Sequence, residues 1–258
     1  MSGSLVFPSE LSLSVPKELR HYTYARIGLG TVGVGIPLPE ILAFREAHAA
    51  AKDALFAPFE VEGIQGKLQE TGISSLVLHS EAADRSTYLQ RPDLGRKLSV
   101  QSQKDLEGFN EAGSSYDVAM VVSDGLSARA VNQHATPVVQ GLFAKGISAG
   151  WSMAPVVFLY QGRVAAGDPI GAILQAKAVL MLIGERPGLS SPDSMGAYLT
   201  YQPRIGLTDE SRNCVSNIRP EGLPYGAAVE KLFYLLSESL RKKISGVGLK
   251  DEMGKLGT

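Results

Sequence analysis

Apolar positions along the chain follow two rhythms. Six consecutive apolar residues, Ala178 to Ile183, show no alternation, as in a strand buried on both faces. DVAMVV at 117–122 and PVVFLY at 155–160 predict two more strands, and LVLHS at 76–80 a shorter one. Elsewhere the helical period takes over. Ile41, Phe44, His48, Ala51 and Leu55 recur on one face of a helix predicted over Leu38–Phe56, with His48 read as a packed, hydrogen-bonded core histidine. A helix is expected from about Ser127 to Lys145. IGAILQAKA should form another, with Asp168 as its N-cap and Pro169 at its first position. The last helix, Tyr225 to Ile244, buries Val229, Leu232, Phe233, Leu236 and Leu240. Its final turn carries Arg241, Lys242 and Lys243, where cations suit the macrodipole.

Strands alternating with helical stretches predict an α/β fold, a parallel sheet joined by right-handed crossovers. The boundary falls near residue 110. Residues 1–110 read as a smaller, mainly helical N-terminal domain that begins with a flexible arm over residues 1–20, and residues 111–258 as a Rossmann-like α/β domain. AYLTYQP at 197–203 adds an edge strand, because Pro203 would not be tolerated in a central one. RPDLGRKLS at 91–99 reads as a loop whose Asp93 caps the following helix. Its basic residues Arg91, Arg96 and Lys97 are either a solvated face or a partner contact. The tail after Gly246 is expected to fray.

The strand 178–183 breaks at Gly184 and runs into Glu185-Arg186 and a Pro187-Gly188 turn. Ligands of open α/β sheets bind outside the carboxyl ends of the strands, so this charged pair is a candidate site; a solvated loop is the alternative. Gly28, Gly30 and Gly33 spell G-x-G-x-x-G. A dinucleotide site needs a helix opening at the third glycine, whereas Pro37 and Pro39 delay the helix start to about Leu38. The glycines instead predict a tight surface crossing, and a stand-alone nicotinamide oxidoreductase becomes the weaker reading. Ser123-Asp124-Gly125 lacks a G-x-S-x-G elbow and reads as a turn and helix cap rather than a hydrolase site. No H-E-x-x-H or paired cysteines occur, and the four histidines are scattered.

Composition narrows the classes. With 258 residues, 44% of them apolar, the chain can bury one large core or two modest ones. A formal net charge of −1 offers nothing to a polyanion. The lone Cys214 excludes an internal disulfide and fits a reducing compartment. No apolar run spans a bilayer and no signal-peptide pattern opens the chain, so a soluble intracellular protein is expected.

GERPGLSSPDSMGAYLTYQPR at 184–204 and RNCVSNIRPEG at 212–222 resemble the small (light) subunit of ethanolamine ammonia-lyase, an adenosylcobalamin enzyme. ARIGLGTVGVGIP, YLQRPDLGRKLS and VVSDGLSARAV resemble the same family. The resemblance implies that cofactor contacts map to Val164, Glu185 and Cys214. Residue by residue the alternatives stay open: Val164 as core, Glu185 paired to Arg186 or Arg219, and Cys214 as a small buried hydrophobe. The chain lacks the D-x-H-x-x-G pattern of proteins that replace the lower axial base with histidine, in accord with a base-on cofactor.

The family further implies a partner, a TIM-barrel large subunit that carries substrate and radical chemistry, in a hetero-oligomer with equal numbers of each chain. On this view the small subunit clamps the cofactor, and the joint reaction converts ethanolamine to acetaldehyde and ammonia; a purely structural assembly subunit that never touches the cofactor is the alternative. Members sent to a bacterial microcompartment often carry a long extension before the segment matching Glu18-Leu19-Arg20. Only 17 residues precede it here, so the expected location is the bacterial cytoplasm, with the microcompartment as the alternative.

Overall fold

The structure is a computed structural model describing residues 17–23, 25–110 and 113–253. Its contacts group the chain into two compact units, residues 1–50 and 51–258. The arm expected over residues 1–20 lies, up to residue 16, outside the described residues.

In the first unit a short 3-10 helix, Lys17–Tyr22, precedes a stretch in which Gly28, Gly30 and Gly33 all have positive φ. Val32 and Gly35 close a tight antiparallel bridge there. The first α-helix, α1 (Leu38–Phe56), opens only after these glycines. They therefore turn the chain and do not cap a helix. His48, expected in the core, is exposed and stacks on Phe44 at 6.2 Å. The periodic face of α1 was a poor guide because the helix buries only Ala54.

The second unit continues through α2 (Val61–Gln69), β1 (Ser75–His79), α3 (Arg85–Gln90), α4 (Val100–Phe109), β2 (Tyr116–Ser123) and α5 (Ala128–Ser148). Then follow β3 (Val156–Tyr160), α6 (Gly167–Ile173), β4 (Ala176–Gly184), β5 (Met195–Tyr201), β6 (Arg212–Ile218) and α7 (Tyr225–Lys242). The six strands form one sheet ordered β1-β3-β2-β4-β5-β6. Its first four members are parallel, and β5 and β6 are added antiparallel. The expected α/β class holds. The pairing of β1 with β3 draws residues 75–79 into the sheet, so the unit contains chain well ahead of residue 110.

Period-two side chains explain the layering. Val118, Met120, Val122, Leu180 and Leu182 face α5 and α7, meeting Val131, Val138, Leu232 and Leu236. The intervening Ala119, Val121, Val179 and Met181 face the other way, onto Leu106 of α4 and Ile170 of α6. Covered on both sides, β2 and β4 carry the uninterrupted apolar runs of their sequences.

Four local expectations need correction. The segment expected at the edge, now β5, lies between β4 and β6, and Pro203 falls beyond its last paired residue. The true edge is β6, whose burial alternates irregularly because only Arg212, Val215 and Ile218 turn inward. Asp168 caps nothing. It is buried, and both its oxygens accept from Arg212 at 2.7 Å. Asp93 pairs with Arg91 at 2.7 Å, and α4 is capped instead by Ser99, which accepts from the Ser102 amide. Finally, the chain beyond Gly246 is held as far as Asp251. Asn213 donates to Gly246 and Leu249, Leu249 is buried, and Lys231 meets Asp251 at 2.7 Å.

Candidate functional site

Three parallel strands end side by side, and their following loops build one cleft. After β2, Asp124 and Gly125 lead to Ser127, which caps α5 by accepting from the Ala130 amide. After β3, Gln161 to Arg163 lead to Val164. After β4 comes Glu185. These loops approach one another closely. Leu126 donates its amide to Gly184 at 2.9 Å, and a Cβ on Gly184 would collide with the Ser127 carbonyl. The Gly184 that breaks the strand is thus the contact that brings two loops together.

The resulting cleft measures about 390 Å³ and is lined by Tyr88, Leu126, Arg163, Val164, Ile183, Gly184, Glu185, Arg186 and Tyr198. Two of the three predicted residues, Val164 and Glu185, are therefore on its wall. The third, Cys214, is exposed on β6 and stands opposite Tyr198 in the sheet register. It lies within the strand and is not the small buried hydrophobe of the alternative reading. Its thiol is pushed up by desolvation, pulled back by Tyr198 and pushed up again by the Glu185 charge, so it stays protonated and neutral at pH 7.

Glu185 is half-buried, and its carboxylate accepts from the Ser194 hydroxyl and from the Asn217 amide at 3.3 Å. Neither Arg186 nor Arg219 pairs with it. Arg219 is engaged with Asp193, Glu221 and Asn217. Gly196, beside it on β5, leaves room for this carboxylate: a Cβ there would sit 2.8 Å from Glu185 Oε1. Val164 packs only partly against the core.

The sequence reading missed the aromatic and cationic wall. Tyr88 is fully buried, donates to the Gly162 carbonyl at 3.0 Å, and has its hydroxyl pushed up by burial. The guanidinium groups of Arg85 and Arg163 lie over its ring at 5.1 and 4.3 Å from the centroid. Behind them Asp124, almost fully buried, accepts from the Gln161 amide at 2.7 Å and meets Arg85 at 3.4 Å. Burial raises its carboxyl to about 6 against the pull of Arg85. Tyr88 sits inside one of the family-like segments, and Arg163 directly precedes Val164. Neither carried a recognisable spacing.

A second cleft, of about 400 Å³, opens between Arg96–Leu98 and Ile205–Leu207. None of the three predicted residues lines it, and Asp168 at its floor is already tied to Arg212.

Comparison with known proteins identifies the family. A family model for the ethanolamine ammonia-lyase light chain (EutC) matches residues 14–250. The chain belongs to that family. It is 54% identical over 244 residues to the ethanolamine ammonia-lyase small subunit of Xanthomonas campestris pv. campestris, covering 93% of this chain and 90% of the relative. The small subunit of Ralstonia nicotianae is 52% identical over 246 residues, covering 95% and 91%. That of Pseudomonas fluorescens is 52% identical over 236 residues, covering 91% and 86%. Every strand of the cleft falls within the matched span. No helix among the described residues is long and apolar enough to cross a membrane.

Proposed function

We propose that this chain is the small subunit of an adenosylcobalamin-dependent ethanolamine ammonia-lyase, and that it closes over one side of a base-on cofactor held against a TIM-barrel large subunit. The observation that carries the reading is the convergence at one cleft. Val164 and Glu185 line it, and Cys214 adjoins it through Tyr198.

The residues suit the cofactor. A corrin with its nucleotide tail is far larger than a cleft of about 390 Å³, so this chain can supply one wall and must leave the rest to a partner. The wall is mixed as such a ligand requires: apolar at Val164 and Ile183, neutral at the Cys214 thiol, and accepting at Glu185. When bound, the cofactor supplies the radical chemistry. The chain's own residues bind and orient it and exclude water from its periphery. Glu185 keeps an acceptor aimed at the cleft because Ser194 and the Asn217 amide orient its carboxylate. It would receive hydrogen bonds from amide or ribose hydroxyl donors of the ligand. Ethanolamine binding and bond cleavage belong to the large subunit, with the two chains in equal numbers.

Titrating the purified chain with adenosylcobalamin, alone and with the large subunit, tests this. The expected result is cofactor-dependent deamination of ethanolamine only when both chains are present. Turnover by this chain alone would overturn the assignment.

A further inference from the structure

Among the described residues two arginines of the cleft have no counter-ion, and this distinguishes them from the arginine next to them. Arg85 has its charge met: it donates to the Leu55 carbonyl at 2.8 Å and the Gly125 carbonyl at 2.6 Å, and it meets Asp124, although its Nη2 is buried without a partner. Arg163 lies over the same Tyr88 ring but makes only one long side-chain hydrogen bond, 3.4 Å to the Tyr88 carbonyl. Its Nε is buried with no partner, and among the described residues no carboxylate lies within 4 Å of it. Its position is nevertheless tightly set. The Arg163 amide donates to the Gly95 carbonyl at 2.7 Å, and a Cβ on Gly95 would come within 3.0 Å of the Arg163 stem. Arg186, on the lip beside Glu185, is exposed and has no acceptor among the described residues.

A guanidinium held rigid over an aromatic ring, with an unspent donor edge, is set up to bind an anion, and its fork matches phosphate oxygens. Base-on adenosylcobalamin is rimmed by neutral amides, and its one anionic group is the phosphodiester of the nucleotide tail. We infer that Arg163, assisted by Arg186, binds that phosphodiester and so fixes which way the tail lies along the cleft. This rests on the cofactor reading above. Glu185, turned towards Ser194 and Asn217, leaves the two arginines free for the ligand.

The test is equilibrium binding, read by absorbance, to the complex of both subunits. Three ligands are compared: adenosylcobalamin, adenosylcobinamide phosphate, and adenosylcobinamide, which lacks the phosphate. Arg163→Met should weaken the first two by about ten- to hundredfold and leave adenosylcobinamide within about twofold of wild type. Arg186→Ala, an exposed change that leaves the fold intact, should show the same selectivity with a smaller loss. Equal weakening of all three ligands, or no change in any, overturns the inference. Inorganic phosphate competing as well as adenosylcobinamide phosphate would also overturn it, since the site would then read a free anion. Glu185→Ala, run in parallel, separates the two levels. If it weakens binding while both arginine variants are silent, only the present inference fails. If all three variants are silent, the cleft itself is not the cofactor site.

Discussion

The two charged regions at either side of β4 and β5 use the same chemistry to opposite ends. On the α6 side, Asp168 and Arg212 are both buried and joined by two hydrogen bonds of 2.7 Å, with Thr200 adding a third at 2.8 Å. Both carboxylate oxygens and both terminal guanidinium nitrogens are met from within the chain, and only Arg212 Nε, 3.6 Å from Asp209, lacks a hydrogen bond. At the carboxyl ends of the strands, Glu185, Arg186 and Arg163 line one cleft without pairing to one another. The difference separates a charge pair that holds the structure from charges that the proposed function assigns to a ligand.

Breaking the first region should give the largest effect. Arg212→Met strands a buried carboxylate and should cost about 3–5 kcal/mol of stability, read as a shift in the urea midpoint. Cofactor affinity of the folded fraction should not change. Combining it with Asp168→Leu should recover much of the loss, since a buried pair is often replaceable by apolar groups although neither half is. A double variant no better than the single would show that the pair does more than neutralise itself.

The second region should respond the other way round. Glu185→Ala should leave the urea midpoint nearly unmoved and weaken adenosylcobalamin binding by about ten- to hundredfold, from the loss of charged hydrogen bonds of about 1.5–3 kcal/mol. The KM for ethanolamine at saturating cofactor should stay constant, because that substrate binds the other chain in the proposed complex. A variant that loses stability and keeps its affinity would return Glu185 to a structural role.

Asp124 is intermediate between the regions, buried but only loosely paired to Arg85. Its carboxyl is raised from 3.8 to about 6 by burial, so the folded protein binds this proton more tightly than the unfolded chain. Its contribution to stability is complete below about 3.8 and declines as pH rises through about 6. The slope in that window is at most about 1.4 kcal/mol per pH unit. Urea unfolding between pH 4 and pH 7 should show a shallower decline for Asp124→Asn than for the wild type. Parallel profiles would mean that Asp124 does not titrate there.

Much of this fold is legible in the sequence. Strands buried on both faces declare themselves as unbroken apolar runs, and β2, β3 and β4 appear where DVAMVV, PVVFLY and AVLMLI predict them. Glu185 was legible too, as the first charge after the longest such run. What failed has a common cause. RNCVSNI gives no strand signal because an edge strand exposes one face and needs few apolar residues, and AYLTYQP looks like the edge because Pro203, which lies beyond the last paired residue, reads as part of the strand. Asp168 in front of Pro169 resembles a cap because local sequence carries no trace of Arg212, which reaches it from a distant strand.

The sequence alone therefore determined the class of fold, the strands of its centre, the family, and the points at which the chain leaves the sheet, since each depends on local period or on ordered segments of sequence. Only the tertiary structure decided which charges are spent and which are left over. Arg85, Arg163, Arg186 and Arg212 are alike as letters. One faces the two oxygens of a buried carboxylate, one is tied to carbonyls and Asp124, and two open onto the cleft with no counter-ion among the described residues. An arginine's role is set by what lies within about 3 Å of its donors, and sequence-distant strands supply those neighbours.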